Sequence, residues 1–85
     1  MPLVQLYANI RQLAGVKEIS LPGTSVGMIV HALVRQFPEL EKILLQDGQV
    51  HPHVIITVNG QTGIDLDAKV AEQDQIAIFP PIAGG

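Results

Sequence analysis

The chain has 85 residues, no cysteine, and a formal charge of −3 from five Lys or Arg against eight Asp or Glu. That excludes a disulfide framework, a thiolate metal site and a cysteine nucleophile, and the lack of any basic stripe argues against direct contact with nucleic acid. Apolar residues make up 47% of the chain and charged residues only 15%, against about 25% charged in an average domain, so an apolar patch is expected to face a partner.

A domain this short buries about 60–65% of the surface its unfolded chain exposes, which allows one core. No basic segment leads into an apolar run, and no apolar run approaches 18 residues. The expectation is therefore a soluble, cytoplasmic chain, mature as written, with no membrane contact.

Leu3 to Ala8 sets Val4, Leu6 and Ala8 against Leu3, Gln5 and Tyr7, which predicts a strand with two largely apolar faces. Asn9 to Gly15 reads as a connection. Val16 to Leu21 puts Ile19 and Leu21 on one face before Pro22-Gly23 stops it, completing an expected hairpin. Val26, Ile29, Val30, Leu33, Val34 and Phe37 then recur at the spacing of one helical face, with Thr24 or Ser25 as N-cap. Pro38 ends that helix and opens a short turn, with Glu39 and Glu41 at its positive end and Leu40, Ile43 and Leu44 inward.

Gln46 to Pro52 reads as loop. Val54 to Asn59 alternates as a strand, and Asn59-Gly60 signals a tight hairpin turn into a short return strand over Gln61 to Ile64. Asp65 to Asp74 is an acidic connection anchored by Leu66 and Val70. Gln75 to Phe79 is the last strand, halted by Pro80-Pro81. The order is strand, strand, helix, strand, short strand, strand. One helix burying one apolar face must lie across a sheet, which makes this a two-layer α+β domain. The doubly apolar first and last strands belong in the middle of the sheet, paired in parallel. That is a β-grasp arrangement: a mixed sheet with one main helix across one face.

Little in the chain could carry chemistry by itself. His51-Pro52-His53 could turn two rings to one side of a strand, but zinc would need further ligands from His31 or carboxylates, and solvated or capping histidines are the expectation. Asp65 with Asp67, or Glu39 with Glu41, lack the burial that would move a carboxyl toward acid–base work. The glycines of Gly-Thr-Ser, Asn-Gly-Gln and Thr-Gly-Ile match no phosphate-binding pattern. No metal, bound cofactor or independent active site is expected.

The C-terminus is different. In Phe79-Pro80-Pro81-Ile82-Ala83-Gly84-Gly85, two prolines block further pairing and hold the segment extended. Two glycines then place the terminal carboxylate on a stalk without Cβ atoms, suited to a narrow channel. The six residues from Pro80 to Gly85 can reach about 20 Å. Ordering them against a partner costs about 6–12 kcal/mol, reduced by what the prolines already restrict. The folded body is therefore expected to dock as well, through a sheet face near the tail bearing Phe79, Ile55 or Tyr7; alternation alone leaves Phe79 either core or face.

Val58-Asn59, Leu66, the run from Asp74 through Phe79-Pro80-Pro81-Ile82-Ala83-Gly84-Gly85, and Tyr7-Ala8 before Arg11 together resemble the small ubiquitin-like sulfur-carrier family. That family includes the small subunit of molybdopterin synthase and the thiamine-pathway carrier. The likeness covers essentially the whole chain, and the double proline resembles the molybdopterin-synthase branch. Gln73 stands where the family usually has a glycine, which affects a turn and leaves the chemistry in place. Gly48 to Val54 is longer than in the shortest molybdopterin carriers and resembles carriers for cysteine synthesis, tRNA thiolation or protein tagging.

The resemblance implies a β-grasp domain over residues 1–79 and an extended diglycine tail over residues 80–85. It implies that a ubiquitin-activating-type adenylyltransferase, using ATP and magnesium, activates the Gly85 carboxylate, and that a sulfur donor then makes a thiocarboxylate. Gly84 would give clearance, and Phe79, Pro80, Pro81, Ile82 and Ala83 would meet the partner. The implied acceptor is the molybdopterin synthase large subunit, whose residues do the catalysis on the pterin precursor. A different sulfur acceptor, or conjugation to other proteins through Gly85, are the alternatives.

Overall fold

The computed structural model describes residues 1–81. A four-stranded sheet runs in the order β2 (Glu18–Ser20), β1 (Leu3–Leu6), β6 (Gln75–Phe79), β5 (Ile55–Val58). β1 and β6 pair in parallel at its centre, Val4 beside Ile76 and Leu6 beside Ile78, while β2 and β5 flank them antiparallel. Parallel neighbours need a crossover, and every other element lies between them in the chain. Val4, Leu6, Ile56, Ile76 and Ile78 are buried on one face. Against it packs α2 (Val26–Gln36), which buries Val26, Ile29, Val30, Leu33 and Val34. The α+β, β-grasp expectation is borne out.

Ser25 is the N-cap of α2, its Oγ accepting from the Met28 N–H at 3.2 Å. The N–H groups of Val26 and Gly27 donate to the carbonyls of Ala68 and Leu66 at 3.0 and 2.9 Å, so the start of the helix is clamped by a segment far along the chain. A Cβ on Gly27 would lie 3.3 Å from the Leu66 carbonyl oxygen. Ser25→Ala is expected to cost about 1 kcal/mol, seen as a lower urea midpoint with an unchanged slope.

The sequence reading is corrected at four places. Asn9 to Gly15 is not a plain connection: α1 spans Ala8–Ala14 and buries Ile10, with Gly15 closing it at φ 78. Its residues are good helix formers, but one buried anchor gives no visible period, and β1 stops at Leu6 because Ala8 turns to φ 53. Gln46 to Pro52 is not all loop. After the turn Pro38–Leu40 and the short helix α3 (Glu41–Leu44), β3 (Leu45–Gln46) pairs with β4 (Gln49–Val50) across Asp47 and Gly48, at φ 55 and 78. Asp-Gly is a hairpin dipeptide of the same kind as Asn-Gly.

The expected return strand from Gln61 shrinks to one bridge between Val58 and Gln61. Leu66 is not an anchor: it is 41% exposed, and Ile64, Ala68 and Val70 pack on the core instead. What Leu66 contributes is its carbonyl, to Gly27.

The far end of the central strands is tied by one polar cluster. Val58 and Gln61 exchange both backbone bonds at 3.0 Å, with Asn59 at φ 53 and Gly60 at φ 84 between them. The Asn59 Nδ2 donates to Asp74 at 3.0 Å, and the Gln75 N–H donates to the Asn59 Oδ1 at 3.0 Å. The Ala71 N–H donates to the second Asp74 oxygen at 2.8 Å. The Ala71 bond first and the Asn59 bond second hold the Asp74 carboxyl below its ordinary value of 3.8. A depressed carboxyl stabilises the fold fully above its unfolded value and loses that contribution as pH falls through the lowered one. Urea midpoints measured down through this acid range should fall for the wild type, and Asp74→Asn should flatten that limb.

Candidate functional site at the root of the tail

β6 is a central strand, so the chain leaves the sheet with a neighbour on each side. At that end the parallel register runs Leu6 beside Ile78, bringing the next residues, Tyr7 and Phe79, together. On the other side Ile55 lies opposite Phe79. Because Ile78 and Ile56 point into the core, Phe79 and Ile55 stand on the opposite, outer face. This settles the side on which Phe79 lies.

The Tyr7 and Phe79 rings stack with centroids 4.4 Å apart and planes inclined by 14°. Tyr7 is 37% and Ile55 39% exposed, with Phe79 half-buried beneath the stack. These three side chains form an apolar row across the end of the sheet. Ala8, at φ 53, is a strained position for a residue with a Cβ, and it turns the chain into α1 immediately behind Tyr7. Pro80 and Pro81 follow Phe79, half-buried and outside the strand. Lacking N–H groups they cannot extend the ladder. Ile82, Ala83, Gly84 and Gly85, which carry the expected attachment point and two of the five expected partner contacts, lie outside the described residues.

Two features beside the row escaped the sequence reading. An apolar groove of about 450 Å³ runs along β5, lined by Val54, Ile55, Ile56, Ile64 and Leu66 among others; it opens because Gln61 to Ile64 does not pair back along β5. On the other flank, Arg11, Lys17 and Glu18 line a polar recess of about 130 Å³ that Tyr7 borders. Arg11 comes from α1, the unforeseen helix, so its approach to Lys17 had no signal in the sequence.

The remaining candidates stay apart from this site. The Nδ1 of His51 accepts from the His53 N–H at 3.0 Å, a local cap. His31 stands exposed on α2, and Asp65, Asp67, Glu39 and Glu41 are all exposed. Among the described residues no group of three or more His, Asp or Glu could hold a metal ion, and no helix is long and apolar enough to cross a membrane. Among the described residues the site offers apolar area, a charged rim of Arg11, Lys17 and Glu18, and a chain end that leaves the sheet beside them.

Comparison with known proteins finds the same body. The ThiS family model matches residues 4–85. The chain is 31% identical over 88 residues to small archaeal modifier protein 3 of Haloferax volcanii, covering 96% of each. It is 34% identical over 85 residues to the molybdopterin synthase sulfur carrier subunit of Arabidopsis thaliana, covering 96% of this chain and 80% of that one. The solution structure of small archaeal modifier protein 1 from Methanosarcina acetivorans superposes with a TM-score of 0.88 at 28% identity, covering 98% of this chain and 94% of that one.

Proposed function

The chain belongs to the ThiS family of ubiquitin-like sulfur carriers, and from that membership we propose that Gly85 is activated and loaded with sulfur for transfer to an acceptor. The observation that carries this reading is the exit of a diglycine-ended segment from a central strand, beside an exposed apolar row.

The chemistry is simple to state. A carboxylate is a poor electrophile. Its oxygen attacks the α-phosphorus of ATP, a step that magnesium assists on the activating enzyme, and pyrophosphate leaves. A sulfur nucleophile then displaces AMP and leaves a thiocarboxylate on Gly85. Sulfur rides on the acyl group, so the carrier needs no cysteine. Tyr7, Ile55 and Phe79 give a tail-processing partner an apolar landing face, and Arg11, Lys17 and Glu18 give it a charged rim of mixed sign to match. The acceptor we favour is the molybdopterin synthase large subunit, on the double proline and the likeness to the Arabidopsis subunit. The likeness to two small archaeal modifier proteins favours a second reading, conjugation of Gly85 to lysines of other proteins.

The test is the intact mass and C-terminal fragment of the chain recovered from its own cell under conditions that prevent hydrolysis. Replacement of one Gly85 oxygen by sulfur is expected. An unmodified carboxylate, even after incubation with activating enzyme, ATP and a sulfur source, would overturn the carrier reading. Higher-mass conjugates under sulfur stress would favour the modifier, and pterin-dependent loss of the sulfur would favour the synthase. The docking face is tested separately. Ile55→Asp is expected to weaken activation about thirtyfold at limiting carrier, the size of a lost interface anchor, while shifting stability by no more than about 1 kcal/mol.

A further inference from the structure

The Asn59-Gly60 turn lies at the opposite end of β6 from the tail and carries chemistry that sulfur transfer does not use. Asn59 is followed by glycine, the one residue with no Cβ to keep its backbone nitrogen away from the preceding carboxamide carbon. Both residues are exposed, and a Cβ built on Gly60 would meet nothing within 4 Å. Solvent therefore reaches the turn freely.

In the folded chain the carboxamide is held at both ends. Its Nδ2 donates to Asp74 at 3.0 Å and its Oδ1 accepts from the Gln75 N–H at 3.0 Å. Asp74 is itself fixed by the Ala71 N–H at 2.8 Å, and the Asn59 N–H donates to the Gln75 carbonyl at 2.8 Å. For the Gly60 nitrogen to reach the Asn59 Cγ, the carboxamide must turn out of both of its bonds.

We propose that Asn59 is a latent modification site, converted through a succinimide to aspartate or isoaspartate, and that Asp74 and Gln75 hold it unreacted while β5 and β6 are paired. The Gly60 nitrogen attacks the Asn59 Cγ. The new N–Cγ bond forms as the Cγ–Nδ2 bond breaks, and Nδ2 leaves as ammonia with the proton from Gly60. Water then opens the imide. Attack at Cγ restores the backbone with an aspartate side chain; attack at the main-chain carbonyl leaves the chain running through Cγ as isoaspartate.

Either product inverts the clamp. The donor that faced Asp74 becomes a carboxylate, so two like charges meet where a hydrogen bond stood, and isoaspartate also lengthens a two-residue turn by one backbone atom. The pairing of β5 with β6 is released from the end that fixes its register. Modification is thus one-way: it is slow while β5 and β6 are paired, and once made it opposes that pairing.

The full chain, held in mildly alkaline buffer with and without urea, is followed by peptide mapping that resolves asparagine, aspartate and isoaspartate at position 59. Conversion is expected at least about tenfold slower in the native state than in urea, and Asp74→Ala is expected to raise the native rate about tenfold. Gly60→Ala in urea should slow conversion, which identifies the attacking nitrogen. Asp74→Asn keeps the side chain's shape but not both acceptor oxygens, and decides the matter if Asp74→Ala fails to fold.

Equal rates in the native state and in urea would overturn the proposal, as would wild-type rates in Asp74 variants shown by amide exchange to be folded. Asn59→Asp installs the product directly and is expected to unfold at lower urea than the wild type. An unchanged midpoint would overturn the release of the β5–β6 pairing.

Discussion

A chain carrying one residue after Gly85 is expected to give no acyl-adenylate with the activating enzyme unless a protease first removes the extra residue. The reacting carboxylate would sit one residue beyond its place and on a residue with a Cβ, whereas the wild-type stalk ends in two glycines. Catalysis of this kind depends on holding the attacking oxygen in line with the phosphorus, and a displacement of about 1 Å costs on the order of a hundredfold. Gly84→Ala makes the milder form of the same test. One Cβ added near the end of the stalk is expected to cut activation or transfer at least about tenfold by steric exclusion alone.

Neither change is expected to touch stability, because among the described residues the buried core runs from Val4 to Ile78. The pyrophosphate released on mixing with activating enzyme and ATP measures the first step, and urea unfolding checks the second claim. Adenylation of the uncleaved extended chain, or wild-type rates from Gly84→Ala, would remove the narrow-channel argument.

Ile78→Ala is the substitution expected to damage the fold most. Ile78 is fully buried in a central strand, with Leu6 beside it on one neighbour and Ile56 on the other. Truncating it removes contacts on both sides and leaves a cavity that two paired strands and a packed helix cannot easily close. Such changes cost about 2–5 kcal/mol. A domain of this length has about 4–13 kcal/mol in all, so one side chain accounts for a large fraction of it. The urea midpoint should drop steeply with little change in slope. Carrier activity should fall with the folded fraction, since the tail root is the next residue along the same strand.

That adjacency would make body and tail act together in the carrier we propose. Phe79 ends the strand whose preceding residue anchors the core, and its ring lies on Tyr7, the residue after the parallel strand β1. A partner that grips the row also sets the direction in which Pro80 leaves. On the proposed function, docking and presentation of the chain end belong to one surface.

Much of this was legible in the residues. The three-and-four spacing of Val26, Ile29, Val30, Leu33 and Val34 gave α2, since a helix with one dry face must repeat with its own turn. The apolar faces of Leu3–Leu6 and Gln75–Phe79 gave the central parallel pair, and Asn59-Gly60 gave the turn. The diglycine end and the double proline point to the proposed function, because a tail's chemistry needs no folding to be read. α1 and the β3–β4 hairpin were missed for a local reason: each is short, and one or two buried residues do not make a period.

Other features belong to the tertiary structure alone. A period of two says that Phe79 and Ile78 face opposite ways, but only the helix packed over Ile78 decides which way is out. Leu66 looks like an anchor by type, yet the segment is positioned by its backbone bonds to the start of α2, and the side chain is left in solvent. Ile55 and Phe79 come from β5 and β6 and Tyr7 from the residue just after β1, and the three meet only through strand register. Alternation and composition are properties of neighbours in sequence, so they determine the elements and their wet and dry sides; which distant residues share a surface is set by pairing and packing, and those exist only once the chain has folded.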